Sequence, residues 1–261
     1  MQPAEVSVVA LYPDLLGTYG DRGNALALDF RIRARGMRMR LVEVEPGKPA
    51  PRCADIYLIG GGEDAAQLLA LQALRADPNV AAALEGGAAW LAVCAGLQLL
   101  SASFADRDGQ SVSGLGVLDV RCGRLPDARA VGEVVADPVG IPSLPALTGF
   151  ENHQGTAVLG PRAQPLGRLR RGVGNGDGAS EGVVQGNVVA TYLHGPVLVR
   201  NPGLADHLIE RSTGPLPPFR DLAVERMRAE RLDAALGHPR SRWSAGRSAL
   251  LRGHRRPGRV R

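Results

Sequence analysis

Cys94 stands in Ala92-Val93-Cys94-Ala95-Gly96, where an apolar run (residues 88–93) passes without a polar break into a stretch of helical composition leading toward Phe104. Small residues on both sides of a cysteine permit a sharp strand-to-helix turn, the geometry that presents a nucleophile at a helix N-terminus. The unpaired N–H groups of that terminus favour a thiolate. The competing assignment is a buried structural cysteine, one of the residue types most often found inside. Cys53 and Cys122 lack this setting and read as structural.

A cysteine nucleophile needs a base. His194 ends the apolar run Val188-Val189-Ala190-Thr191-Tyr192-Leu193 and is followed by Gly195-Pro196. In open α/β sheets, sites form outside the carboxyl ends of strands, where this histidine would stand. His153, in Glu151-Asn152-His153-Gln154-Gly155, is the alternative base; it could equally line a substrate pocket or make a structural hydrogen bond. His207 falls inside a helical stretch, and His238 and His254 lie in or near the C-terminal tail. Gly60-Gly61-Gly62 follows a buried strand. Without Cβ atoms these residues can turn backbone N–H groups toward a ligand, as an oxyanion hole requires.

The elements that must position these groups alternate. Residues 5–11, 37–44, 55–59 and 88–93 have the composition of buried strands; 25–35, 65–75 and a stretch after Pro78 have that of helices. Residues 12–24, rich in Gly, Asp and Pro, read as a loop, and Gly36 as a helix C-cap. This order implies a three-layer, mostly parallel sheet with helices on both faces. Short strands near 116–122, 131–135, 146–150 and 183–192 look like antiparallel or mixed additions to the same sheet. A helix over 202–211 follows, with Asn201 as its expected N-cap. The expected division is an α/β domain over 1–215, a helical extension over 216–237 and a basic, disordered tail over 238–261.

Of 261 residues, 44% are hydrophobic and 22% charged, an ordinary globular balance. The net charge of +5 is misleading: the tail carries eight arginines and no acid, and removing them leaves −3. That tail motivates a nucleic-acid or acidic-surface binder as a rival function, but Trp243 is its only aromatic and no recognition fold accompanies it. No apolar run approaches the ~20 residues that span a bilayer, and the N-terminus lacks a signal-peptide pattern, so a cytoplasmic location is expected. Three cysteines without a secretion signal or a C-x-x-C pair argue against a disulfide framework and a zinc site. The sole lysine, Lys48, has Val42 where a P-loop needs its first glycine, so no standard nucleotide motif is present.

Taken together, these pieces resemble the class I glutamine amidotransferases of the cobyric acid synthase-like branch. The matching segments are Tyr12-Pro13, Tyr19-Gly20-Asp21-Arg22-Gly23-Asn24, Gly60-Gly61-Gly62-Glu63-Asp64, Val93-Cys94-Ala95-Gly96-Leu97-Gln98, Gly149-Phe150-Glu151-Asn152-His153-Gln154-Gly155 and Thr191-Tyr192-Leu193-His194-Gly195-Pro196. With Gly182-Val183 and Gly186-Asn187, they run in family order over residues 5–212. The resemblance implies a flavodoxin-like core and a glutaminase with Cys94 as nucleophile and His194 as base. It further implies an oxyanion hole of the Gly61 and Ala95 N–H groups, and substrate contacts from Arg129, Gln98 and His153.

Within the branch, the chain is similar to the glutaminase subunits of lipid II isoglutaminyl synthases. That implies a heterodimer with a Mur-ligase-like synthetase subunit (MurT). The partner would carry ATP and magnesium and amidate the D-glutamate of lipid II at the inner face of the membrane, in peptidoglycan synthesis. No cofactor is expected in this chain. The alternatives are the amidotransferase part of a cobyric acid synthase-like system and a non-catalytic binding module. Cobyric acid synthases carry an ATP-dependent domain ahead of the amidotransferase domain, whereas this chain opens on its first strand. Two positions depart from the broader class: Ala92 replaces a glycine, and Pro196 replaces the acid two residues after the histidine. The expected sources of that acid are Asp14, Asp21 or Glu151, a partner residue, or none.

Overall fold

The computed structural model describes residues 4–18, 20–126 and 128–237; the expected disordered tail lies outside the described residues. The chain begins with β1 (Glu5–Leu11), α1 (Arg22–Arg33), β2 (Arg38–Val44), β3 (Ile56–Ile59), α2 (Asp64–Ala76), α3 (Pro78–Glu85), β4 (Ala89–Val93) and α4 (Ala95–Leu100). β3 and β4 are buried at every residue, as strands covered on both faces must be. Helix α1 starts three residues earlier than its composition suggests. Asn24, whose side chain could otherwise compete for its own local backbone, instead accepts from the Leu198 N–H at 3.0 Å.

The helix expected to run from Cys94 to Phe104 stops at Leu100. The buried Ser101 hydroxyl lies 2.7 and 2.9 Å from the carbonyls of Gln98 and Ser103, between which its one proton is shared, and its backbone is extended. A serine satisfied in this way competes with the helical ladder. The chain continues as β5 (Ser101–Ala105), β6 (Ser111–Ser113), β7 (Leu118–Arg121), β8 (Ala130–Pro138), β9 (Leu147–His153), β10 (Val158–Leu159), β11 (Gly167–Arg171), β12 (Ser180–Glu181), β13 (Val183–Gln185) and β14 (Val188–Thr191). Helices α5 (Val197–Arg200), α6 (Pro202–Thr213) and α7 (Leu222–Leu236) follow.

The core sheet has the order β13-β14-β4-β3-β1-β2. Five strands are parallel and β13 is an antiparallel edge. From β1 the chain moves outward to β2, then crosses back to β3 and continues to β4 in the opposite direction. Right-handed crossovers therefore put α1 on one face and α2 and α3 on the other. The direction reverses between β1 and β3, and at such a switch point the loops diverge and leave a crevice.

Only β13 and β14 join this sheet from the second half. The other late strands form two separate four-stranded sheets, β10-β7-β5-β6 and β12-β11-β8-β9, rather than extending the core. At the β13 edge, Val184 pairs with Gln164 in an isolated antiparallel bridge rather than with a further strand.

Packing ties the frame together. Trp90 and Tyr57 stack at 4.4 Å between adjacent strands. Arg31 of α1 forms a forked ion pair with Asp206 of α6, and Arg35 joins it at 3.0 Å. Asn201 does not cap α6 with its side chain as expected. It accepts from the Thr148 N–H at 2.9 Å and donates to the Thr148 and Val197 carbonyls, fastening the helix start to β9. A first compact unit ends at Arg220. Helix α7 belongs to a second; Asp221 caps it by accepting from Ala223 and Val224.

Candidate active site

The carboxyl ends of adjacent strands deliver the candidate residues. Cys94 follows β4 and His194 lies just past β14, and these strands run parallel with Thr191 opposite Val93. Gly60–Gly62 follow β3, and the loop after β1 carries Asp21 to the start of α1. β3 and β1 flank the switch point, so the crevice there is bounded by the glycine loop and the Asp21 loop.

Cys94 has φ +53° and ψ −103°, a left-handed backbone uncommon for a residue with a Cβ. Its N–H donates to the Thr191 carbonyl at 2.8 Å, so the turn is pinned to the strand that leads to His194. Gly96, two residues on, has no room for a side chain: a Cβ there would come within 2.7 Å of the Ile59 carbonyl oxygen. This is the close helix–strand approach expected of a nucleophile turn. The sequence suggested a thiol with lowered pKa. Instead, burial, with the Asp21 carboxylate adding to it, pushes Cys94 up to about 12. The Ala95 N–H and Arg129 oppose that shift without overcoming it. The resting group is therefore a neutral thiol.

His194 is buried and held at its backbone by paired hydrogen bonds with Phe150 of β9, at 2.8 and 3.1 Å. Burial, with His153 and Arg129 nearby, lowers its pKa to about 4. At neutral pH it is thus uncharged and able to accept a proton. Its Nδ1 lies 4.0 Å from Asp21 Oδ1. One point locates the whole group: a Cβ built on Gly61 would lie 3.0 Å from His194 Cε1, 3.3 Å from Cys94 Cβ and 3.4 Å from Asp21 Oδ2.

The Gly61 N–H, expected as an oxyanion donor, donates here to Asp21 Oδ2 at 2.7 Å. None of the three loop glycines has positive φ; what they provide is space. A Cβ on Gly60 would sit 1.8 Å from the Leu16 carbonyl oxygen, and one on Gly62 2.8 Å from that of Leu15.

The remaining candidates fall into two groups. Arg129 lies just before β8, exposed, with Nε 2.5 Å from Asn152 Oδ1 and Nη2 2.8 Å from the Asn152 carbonyl. It acts electrostatically on both Cys94 and His194. Gln98 lies one turn into α4, and its side-chain oxygen accepts from Gln67 at 2.9 Å. His153 is engaged internally: buried, stacked on Tyr192 at 4.1 Å, with Nδ1 2.8 Å from the Gly155 carbonyl and Nε2 3.6 Å from Glu151. That geometry does not present it to Cys94 as a base.

One supporting residue escaped the sequence. Glu181, fully buried, accepts from the Thr191 hydroxyl and from the Tyr192 N–H, the latter at 3.1 Å. The Thr191 hydroxyl oxygen in turn accepts from the Leu193 N–H at 3.0 Å. This network shapes the turn that delivers His194. In Ser180-Glu181-Gly182 the glutamate looks like a loop-surface residue, and no local pattern marks it as buried. Among the described residues, no cluster of three or more His, Cys, Asp or Glu is placed to hold a metal ion, and no helix is long and apolar enough to cross a membrane.

A parallel α/β fold with a strained cysteine turn beside a strand-end histidine defines an amidotransferase-type architecture. A crystal structure of a glutamine amidotransferase superposes on 78% of this chain and 98% of its own, with a TM-score of 0.55 at 20% identity. The CobB/CobQ-like glutamine amidotransferase domain matches residues 7–202, and the chain belongs to that family. It is 34% identical to the lipid II isoglutaminyl synthase (glutamine-hydrolyzing) subunit GatD of Staphylococcus aureus, over 80% of this chain and 84% of that one. It is 31% identical to the GatD subunit of Streptococcus pneumoniae, over 79% and 80%. A cobyric acid synthase of Methylobacterium nodulans is 35% identical over 59% of this chain, but only 32% of its own length is matched.

Proposed function

We propose that this chain is the glutaminase subunit of a lipid II isoglutaminyl synthase, with Cys94 as nucleophile and His194 as general base. As Cys94 Sγ attacks the side-chain carbonyl carbon of glutamine, its proton passes to His194, and the oxyanion forms beside the Ala95 N–H, since the Gly61 N–H donates to Asp21. The imidazolium returns a proton to the departing nitrogen, and ammonia leaves a thioester. His194 then activates water, and glutamate is released. A neutral thiol beside a neutral imidazole is the correct starting pair for a transfer coupled to attack. Arg129 would grip the α-carboxylate of glutamine with its forked guanidinium, and Gln98 would contact the substrate at the far side of the nucleophile.

The ammonia would pass to a Mur-ligase-like subunit (MurT), which binds ATP and magnesium itself and amidates the D-glutamate α-carboxyl of lipid II at the inner membrane face. The observation that carries this proposal is the strained Cys94 turn in register with the strand that delivers His194. Similarity to GatD over most of both chains supports the choice of acceptor. The test is co-expression with a Mur-ligase-like partner, followed by ATP- and glutamine-dependent amidation of lipid II. Cys94→Ala abolishes the use of glutamine while ammonium salts still support amidation; loss of both donors contradicts the division of labour.

A further inference from the structure

Position 196, where the broader class carries the acid that orients the histidine, is a proline, and the fold brings another carboxylate to the same ring. Asp14 is exposed and paired with Arg22 at 2.7 Å, far from any role inside the site. Glu151 is committed elsewhere: it accepts from Val173 and Gly174 at 3.0 and 2.9 Å and lies beside His153. Asp21 is buried, with Oδ2 fixed by the Gly61 N–H and Oδ1 4.0 Å from His194 Nδ1.

The loop that carries Asp21 is pressed onto the site from two directions. A Cβ on Gly60 would come within 2.9 Å of Asp21 Cβ, so the residue lies directly on the glycine loop. A Cβ on Gly23 would lie 2.2 Å from Pro196 Cγ, so the start of α1 packs against the residue that occupies the usual acid's position. The proline at the usual acid's position thus packs under the start of α1, next to the loop whose aspartate faces the histidine.

We infer that Asp21 is the positioning acid of His194, replacing the acid absent at position 196. The inference rests on the assignment of Cys94 and His194 as nucleophile and base. Asp21 draws the ring proton to Nδ1 and leaves Nε2 to receive the thiol proton, and its charge stabilises the imidazolium that forms. A closure of about 1 Å brings the pair to hydrogen-bond distance, as often happens only when substrate is bound. The same carboxylate anchors the Gly61 peptide, tying the glycine loop to the base.

The test uses the full-length chain, Asp21→Asn and Asp21→Glu, with two readouts. The first is glutamine hydrolysis in the presence of the synthetase subunit. Asp21→Asn lowers kcat by about 10²–10⁴-fold with KM within about threefold, and Asp21→Glu recovers part of the loss. A kcat for Asp21→Asn within about threefold of wild type overturns the inference. The second is the His194 tautomer by ¹⁵N NMR without glutamine: the proton resides on Nδ1 in the wild-type chain and moves toward Nε2 in Asp21→Asn. A wild-type proton on Nε2 overturns the inference without recourse to any variant. A wild-type complex that does not hydrolyse glutamine defeats the proposed function instead, and the tautomer still decides the role of Asp21.

Discussion

Glu181→Gln isolates the energetic cost of the carboxylate that shapes the His194 turn. Burial raises the Glu181 pKa from 4.5 to about 7, against the pull of the Thr191 and Tyr192 hydrogen bonds. The folded state therefore holds its proton between those two values while the unfolded chain has lost it. Stability falls as pH rises through that window and levels off above the folded pKa. Each pKa unit corresponds to 1.36 kcal/mol, so the wild-type chain loses up to about 3 kcal/mol above pH 7 through this one group. Most of that, about 2.5 kcal/mol, is lost between pH 5 and pH 9. Glutamine keeps an oxygen for Thr191 and Tyr192 and carries no charge. Its amide nitrogen replaces Oε2, which is buried without a hydrogen-bond partner, at a cost that does not vary with pH. The difference in Tm between variant and wild type should therefore grow in the variant's favour by about 5–10 °C between pH 5 and pH 9. Scanning calorimetry at closely spaced pH values measures it. Parallel Tm curves would mean that Glu181 ionises as readily in the folded chain as in the unfolded one, and the burial argument would fail.

Three further outcomes follow from the site. The left-handed backbone at Cys94 favours glycine, so Cys94→Gly should be about 1 kcal/mol more stable than Cys94→Ala, or about 2–4 °C in Tm; equal Tm values would mean the turn carries no strain. Gly96→Ala should destabilise by about 1–3 kcal/mol in urea titration, because its Cβ meets the Ile59 backbone rather than a movable side chain; an unchanged midpoint contradicts the packing. Arg129→Ala removes a forked charged contact to the glutamine α-carboxylate worth about 1.5–3 kcal/mol, so KM for glutamine should rise about 10–100-fold with little change in kcat; a fall in kcat at constant KM would place the arginine in the chemistry instead.

The core sheet was legible because its strands are short apolar runs separated by helical composition, and because parallel strands buried on both faces advertise themselves. Cys94, His194 and the glycine loop were legible for a related reason: each sits at the end of such a run. What sequence could not supply was anything set by contact across the fold. The direction of the Cys94 shift is one case. A helix N-terminus is visible in sequence and argues for a thiolate, but the burial that outweighs it exists only once β4, β14 and the Asp21 loop have packed together. Asn201 is another: its type and position suit a cap, yet Thr148 on a distant strand claims its side chain. The separate late sheets are a third, since short alternating strands look alike whether they extend a sheet or build a new one.

The glycine triplet was singled out for one physical property and serves the fold through another. Its value was expected to be conformational freedom, but none of the three residues uses positive φ. The geometric problem is distance. Asp21 comes from the loop after β1, and His194 from the end of β14, three strands away in the sheet. At about 4.8 Å per strand that is about 14 Å, far beyond the reach of an aspartate side chain. The β1–α1 loop closes the gap by crossing over the end of β3, where the carbonyls of Leu16 and Leu15 occupy the space that side chains at 60 and 62 would need. Any Cβ at position 60 must lift that loop, and with it the carboxylate that lies 4.0 Å from His194. Gly60 and Gly62 are thus required by the loop above them, while Gly61 alone lies among Cys94, His194 and Asp21, so one run of three identical residues serves two separate demands of the fold.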